Sequence, residues 1–551
     1  MRKIWFLFLI LAGYTAMAQN TPTCYRISLS DKNNSPYSIS NPSVFLSQRA
    51  LDKRARFNIA ITEQDFPVNP QYIQQIKAID ANIQVLCTSK WMNTVTIYCP
   101  DSTKPATISA LPFVTNVLPV ADYDLQGMKK QLQTFENNYV SIVSNPAKDT
   151  MADLDYGEGY RQIALHNGHL LHKEGFLGNG MLIAVFDAGW AGVDTSVYFH
   201  PLFENGQILG TRDLIPGRHN VFEGHYHGTI VSSTMAILAE GTLVGTAPKA
   251  NYFFIRSEHP LSEELIEEDF WAQAAEIADS LGADVINSSL GYTTFRDFPQ
   301  GDFTYEDVDG VTSIASRAAT ILGQKGVVVC VSAGNEGTNP WYHIGHPADA
   351  FDILAVGAAN VMGHIAGFSS RGPSYDGRVK PDITSVGVNT TCIWPDDRLG
   401  EADGTSLACP VAAGLCACLW QALPEKTASE IMQIVRESSS CYNNPNDSLG
   451  YGIPDFYAAY QNHAHDGVPE HIIPSAHIFP NPCTNQFNIS SREDNIDRVE
   501  LFSIDGKLVL STCPDKHYYI SVNVQDVPAG FYIGRIYLKN KQIQTFRIIK
   551  Q

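Results

Sequence analysis

The run Met181-Leu-Ile-Ala-Val-Phe-Asp187 decides how the centre of this 551-residue chain is built. Six apolar residues follow one another without polar alternation, and a carboxylate ends the run. A strand of that kind has both faces covered, as in a parallel sheet lying under helices. Four similar runs follow in order: NYFFIRS at 251–257, ADVINSSLG at 283–291, VVVCVSAGN at 327–335 and DILAVGAA at 352–359. Helix-like stretches fall between them, among them Glu263 to Leu281 and Thr312 to Gln324. Alternating strands and helices from about Tyr156 to Tyr460 predict an α/β domain of about 300 residues with a sizeable core.

Outside that stretch the pattern changes on both sides. Residues 19 to about 125 mix short strand-like runs (CYRISL, NTVTIYC, FVTNVLPV) with two helix candidates, Ser43 to Phe57 and Asn69 to Asp80. They read as a small α+β domain. Gln126 to Asp155 is polar and without period, a linker of the kind proteases cut. His463 to Ser475, with two prolines, is a second linker. The last 75 or so residues alternate short strands with turn signals, Asp505-Gly506 being the strongest hairpin cue, and predict an all-β sandwich-like module. At the N-terminus, Arg2 and Lys3 precede an apolar run from Ile4 to Leu11 and a small-x-small site at Ala16-Met17-Ala18. That is the layout of a secretory signal peptide cut after Ala18, and the run is too short to span a bilayer. The expected division is 1–18 signal peptide, 19–150 N-terminal domain and linker, 151–462 α/β domain, 463–477 linker and 478–551 C-terminal module.

Composition excludes several classes. Hydrophobic residues at 44% are ordinary for a globular protein. Lys and Arg total 38 against 57 Asp and Glu, a net charge of -19, which disfavours nucleic acid as a partner. No stretch after the signal has 18 consecutive apolar residues, so the mature chain is expected to lack a transmembrane segment. Eleven cysteines, an odd and sparse set, do not form a disulfide framework. Cys330, Cys416 and Cys418 lie within apolar runs and read as small buried hydrophobes. No C-x-x-C pair marks structural zinc.

Three residues at element ends carry the chemistry. Asp187 closes a strand, His227 stands in His-Gly-Thr just before a helical run, and Ser406 in Gly-Thr-Ser-Leu-Ala-Cys-Pro opens an apolar helix. A serine hydroxyl is a weak nucleophile. It needs a base, and the base needs a carboxylate to hold its tautomer. Strand ends and helix starts meet over one crevice in an α/β sheet. Asn335, in Ser-Ala-Gly-Asn-Glu-Gly after a strand, brings a side-chain amide suited to a developing oxyanion.

The segments AVFDAGW, HGTIVSSTMA, NSSLG, SAGNEG and GTSLACP, in this order, resemble the subtilisin-like serine proteases, the subtilases. The resemblance spans roughly 156 to 460. It implies a subtilisin-like parallel sheet, with Asp187 as orienting acid, His227 as base, Ser406 as nucleophile and Asn335 as oxyanion donor. It also implies that Ser289-Leu290-Gly291 and Ser332-Ala333-Gly334 wall an extended peptide. The chemistry then requires no cofactor and no metal. Structural calcium, common in the family, has no D-x-D-x-D-G loop to hold it here. Residues 19 to 150 take the place of a subtilase propeptide. The C-terminal module, with Phe479-Pro480-Asn481-Pro482, Ser503-Ile504-Asp505-Gly506-Lys507 and Pro528-Ala529-Gly530-Phe531-Tyr532, resembles type IX secretion sorting domains.

The expected function is therefore that of a zymogen-derived endopeptidase. Its partners are protein or peptide substrates and the type IX machinery. Its destination is the medium or cell surface of a Gram-negative bacterium, reached through the periplasm. Two departures favour an alternative, a catalytically inactive subtilase-fold surface-binding protein: Ala188 stands where the family has Ser or Thr, and Ile230 replaces a second His. Ser385-Val386-Gly387 also replaces the usual Ala-Pro-Gly. A metal hydrolase built on His225-Tyr226-His227 lacks further ligands at suitable spacing, and GTSLA is not the G-x-S-x-G of α/β-hydrolases.

Overall fold

The computed structural model describes residues 23–122, 153–216, 220–259, 262–464, 476–491, 496–503, 506–513, 519–538 and 543–551. The signal peptide, residues 126–152 of the first linker and 465–475 of the second lie outside this set, as do Ile504 and Asp505. Two compact units divide the chain, 1–464 and 465–551.

The first unit opens with β1 (Cys24–Leu29), α1 (Gln48–Arg56), α2 (Pro70–Lys77), β2 (Gln84–Ser89), β3 (Thr94–Tyr98), α3 (Lys104–Ser109) and β4 (Val114–Ala121). The strands form an antiparallel sheet in the order β2-β3-β1-β4. Helix α1 starts later than Ser43 because Pro42–Val44 makes a separate 3-10 turn and Ser47 supplies the cap, its Oγ accepting the Ala50 N–H at 3.1 Å. Asn69 caps α2 in the same way, with Pro70 at the first helical position.

The α/β domain follows: α4 (Tyr160–Ala164), α5 (Gly168–Lys173), β5 (Leu182–Asp187), α6 (His200–Glu204), β6 (Ile208–Asp213), α7 (His227–Ala236), the short pair β7 (Leu238–Ala239) and β8 (Leu243–Val244), β9 (Asn251–Arg256), α8 (Glu267–Leu281), β10 (Val285–Ser288), α9 (Ile314–Gln324), β11 (Val328–Ser332), β12 (Leu354–Ala359), β13 (Ile383–Val386), the hairpin β14 (Thr390–Ile393) and β15 (Leu399–Ala402), α10 (Thr405–Ala422), α11 (Ala428–Glu437) and α12 (Phe456–His463). Seven strands make one sheet, ordered β13-β12-β11-β10-β5-β9-β6, and all its pairings are parallel. Alternate residues of β5 belong to different cores. Ile183 and Val185 pack with α7 and α10, while Leu182, Ala184 and Phe186 pack with α8 and α9. This two-sided burial is why the strand sequence shows no polar alternation. The chain crosses from one half of the sheet to the other between β5 and β10, and that is where a doubly wound sheet opens a crevice beyond its strand ends.

The antiparallel sheet lies against α8, joined by buried polar contacts. Arg26 grips Asp269 with two bonds, of 2.8 and 2.6 Å. Arg54 bonds Asp279 at 2.8 Å and Asp65 at 3.1 Å. The Glu276 carboxylate accepts Ser89 Oγ at 2.5 Å and the N–H groups of Lys90 and Trp91. Beyond β4, the Asp122 N–H donates to Glu264 at 2.9 Å, so this domain ends beside the start of α8.

The second unit comprises β16 (Ala476–Phe479), β17 (Gln486–Ser491), β18 (Ile496–Ser503), β19 (Leu508–Thr512), β20 (Tyr519–Asn523), β21 (Gly530–Leu538) and β22 (Ile543–Lys550). These form two antiparallel sheets, β16-β17-β20 and β19-β18-β21-β22. Phe487, Ile489, Val499, Leu501, Ile536 and Ile548 share one core between them.

Candidate active site

Asp187 and His227 meet beyond the end of β5. Asp187 is the last residue of β5 and is fully buried. Its Oδ1 accepts the Ala188 N–H at 2.7 Å. His227 is the first residue of α7, and its Nδ1 lies 2.9 and 3.0 Å from the two Asp187 oxygens. With Nδ1 donating to the carboxylate, Nε2 is left as the basic nitrogen. Burial works against a charged ring, but the Asp187 carboxylate outweighs it, and the net direction is up from 6.5. His225 is not the ring that Asp187 meets. It stacks on Tyr226, its Nδ1 accepts the His227 N–H at 3.2 Å, and burial pushes its own pKa down.

Gly228 permits this approach. A Cβ there would stand 2.6 Å from the Gly189 carbonyl oxygen and 2.7 Å from the Trp190 indole. The Asp187 loop and the start of α7 pass too closely for any side chain at that point.

Ser406 is the second residue of α10, just after Gly404-Thr405. Its Oγ is directed at the Ser289 carbonyl, 3.4 Å away, and among the described residues no hydrogen bond joins it to His227. Such bonds are often long without substrate and close in the complex. Pro410, four residues on, has no N–H to give the Ser406 carbonyl, and Ser289 Oγ donates to that carbonyl instead at 2.9 Å.

Asn335 is held by a contact that the sequence did not announce. Its Oδ1 accepts both the Thr405 N–H at 2.9 Å and the Thr405 hydroxyl at 3.0 Å. Oδ1 is thereby fixed, and the Nδ2 donor side is turned away from Thr405. The serine's neighbour in sequence thus orients the amide, and the Thr in Gly-Thr-Ser was the only available signal.

The two expected walls differ. Among the described residues no backbone hydrogen bond engages Leu290 or Gly291, so that edge is open to an extended chain. In the other wall, the Ala333 N–H donates to Val356 O at 3.0 Å, the Gly334 N–H to Thr405 Oγ1 at 3.2 Å, and the Gly334 carbonyl accepts the Ser370 N–H at 2.9 Å. Ser332-Ala333-Gly334 spends these groups inside the fold and offers a surface rather than a free edge. A Cβ on Gly334, at φ +104°, would meet Ser370 Oγ at 2.8 Å. Neither departure from the family pattern disturbs the contact between Asp187 and His227. Ala188 still gives its N–H to Asp187, and Ile230 is buried with Cys392 and Leu407.

Residues 178–452 match the subtilase family. The chain belongs to the subtilase family. Residues 24–137 of this subtilase match the peptidase S8 propeptide domain of Bacteroidota, and 477–551 match the secretion system C-terminal sorting domain. It is 27% identical over 362 residues to the serine protease AprX of Bacillus subtilis, covering 60% of this chain and 75% of that one. It is 29% identical over 295 residues to subtilisin E of Bacillus subtilis, covering 53% and 68%, and equally identical to the subtilisin of Bacillus pumilus, covering 94% of the latter. Cys330, Cys416 and Cys418 are buried and free, as small hydrophobes.

Proposed function

We propose that this subtilase is an exported serine endopeptidase in which Ser406 attacks the scissile carbonyl and His227 Nε2 takes its proton. Asp187 orients the ring and stabilises its charged form. Asn335 Nδ2 and the Ser406 N–H receive the oxyanion. His227 then hands the proton to the leaving amine, and water repeats the cycle on the acyl-enzyme. The peptide adds to the open edge at Leu290 and Gly291 as an extra strand. The sorting domain carries the protein from the periplasm through the type IX machinery to the surface or the medium.

One observation carries this reading: the buried Asp187 carboxylate holds the Nδ1 of His227, the histidine that opens a helix facing Ser406. A surface-binding role has no need of a buried carboxylate aimed at a histidine nitrogen.

The test is labelling with a fluorophosphonate and hydrolysis of peptides by the matured protein. Ser406→Ala should lose both. His227→Ala should lose nearly as much, since triad members act as one unit, while His225→Ala should cost far less. The acid limb of kcat/KM should lie above 6.5, since the base is charged below its raised value. Labelling that survives Ser406→Ala sinks the assignment.

A further inference from the structure

Three neighbouring strands of the parallel sheet end in a row of charges. Asp187, the last residue of β5, is level with Arg256, the last of β9, and Arg256 is level with Asp213, the last of β6. Arg256 belongs to the sheet face under α7. Tyr252 and Phe254 pack there with Val185 and Val231, and the alternation of the strand carries on to Arg256. Only 1% of Arg256 is exposed. A buried guanidinium must be matched by acceptors, and the fold supplies three. Nη1 donates to Asp213 Oδ2 at 2.9 Å. Nη2 donates to the Asn220 carbonyl at 2.8 Å and to the Glu223 carbonyl.

Asp213 supplies the counter-charge. The two carbonyls belong to the segment that runs into α7 and its first residue, His227. The same segment is held from the turn after β5. The Trp190 N–H donates to the Val221 carbonyl at 2.8 Å and the Ala191 N–H to the His225 carbonyl at 3.0 Å, while the Gly228 N–H donates to the Gly189 carbonyl at 2.9 Å. The path to the base is thus tied on one hand to the turn that follows Asp187 and on the other to the strand end that bears Arg256. Both the base and its acid are positioned from adjacent strands at one level of the sheet.

We propose that Arg256 is a positioning residue for the base: its hold on the Asn220 and Glu223 carbonyls sets where α7 begins, and with it the approach of His227 Nδ1 to Asp187. This rests on the protease reading above and adds a residue to it. The charges of Asp187 and Glu258 raise the His227 ring, burial lowers it, and His225 stands beside it at 6.2 Å. Asp187 is the larger of the two acids in effect, so a loosened approach returns the ring towards 6.5.

The test compares Arg256→Gln, the same change combined with Asp213→Asn, which strands no buried carboxylate, and Arg256→Lys. Rates are taken per site labelled by a fluorophosphonate, so that unfolded protein does not count. Both glutamine variants should lose about 10–100-fold in kcat with KM little changed, a misplacement of about 1 Å being enough for the upper figure. The acid limb of their kcat/KM profiles should move down in pH. Loss of charge alone would move it up in the single variant, by favouring a charged ring, and hardly at all in the double one, so a downward shift reads geometry. Arg256→Lys gathers three donors at one point where the guanidinium spreads five over a fork, and should fall between parent and glutamine with its limb displaced the same way. An unchanged kcat in the double variant, or a limb there that stays or rises, overturns the role while leaving the protease reading intact. Where the glutamine variants yield no labelled sites, full kcat and an unmoved limb in Arg256→Lys overturn it. A parent protein that neither cuts peptides nor takes the label overturns the protease reading and the role together.

Discussion

Helix α8 carries buried acids along its length, and its two ends treat them in opposite ways. From its third residue onward, Asp269, Glu276 and Asp279 each meet donors from the N-terminal domain: Arg26, then Ser89 with the Lys90 and Trp91 amides, then Arg54 and Lys90. At its start, Glu267 Oε1 accepts the His259 N–H, and its buried Oε2 meets no hydrogen-bond donor among the described residues. The difference shows in their acidities. Burial raises Asp279, but Lys90 and Arg54 more than reverse it and its carboxyl ends below 3.8, whereas at Glu267 burial prevails over the backbone N–H groups of His259 and Glu264. Charges at the first end are resolved within the fold. At the second, Glu267 keeps one buried carboxylate oxygen without a donor.

Breaking the resolved end should have the largest effect. Asp279→Ala leaves Lys90 buried without its acid and Arg54 with Asp65 alone, and should cost about 3–5 kcal/mol. Thermal unfolding in a Ser406→Ala background, which prevents self-cutting, measures it. A loss under 1 kcal/mol would mean that the contact is not formed in solution. Ser89→Ala should cost less, about 1–3 kcal/mol, because Glu276 keeps its two backbone donors. The same melting experiment reads it, and an effect as large as that of Asp279→Ala would erase the ranking. Glu267→Gln should change stability least. Its carboxyl titrates above the unfolded value, so its contribution is full below about 4.3 and is lost as pH rises. Glutamine does not titrate. The variant should therefore match the parent near pH 5 and gain on it by pH 8. A variant that falls behind as pH rises would show that Glu267 is paired after all.

The sheet and the Asp187–His227 contact were legible because their signals are local. A two-sided strand needs an unbroken apolar run, and Asp187, His227 and Ser406 each stand where a strand ends or a helix starts. Helix starts were less legible. Both α1 and α8 begin four or five residues inside the expected stretch, where Ser47 and the turn before Glu267 set the boundary. The contacts between domains were not legible at all. Arg26 and Asp269 are 243 residues apart, and neither position carries a mark of the other. The buried acids of α8 escaped for the same reason. In a chain with 57 acidic residues, only folding shows that Glu267 and Glu268 are buried at the start of α8. Thr405 was read as part of a motif, while its grip on Asn335 belongs to tertiary structure.

Pro410 has a mechanical consequence. By withholding one donor from α10, it leaves the Ser406 carbonyl to be held by Ser289, whose own carbonyl faces the Ser406 hydroxyl. Two segments more than a hundred residues apart in sequence are thereby geared together, and the turn after β10 shares with the helix in setting the position of the Ser406 hydroxyl. A displacement of that turn is transmitted to the Ser406 hydroxyl through one residue, so that, in the protease proposed above, docking and aim are parts of a single linkage.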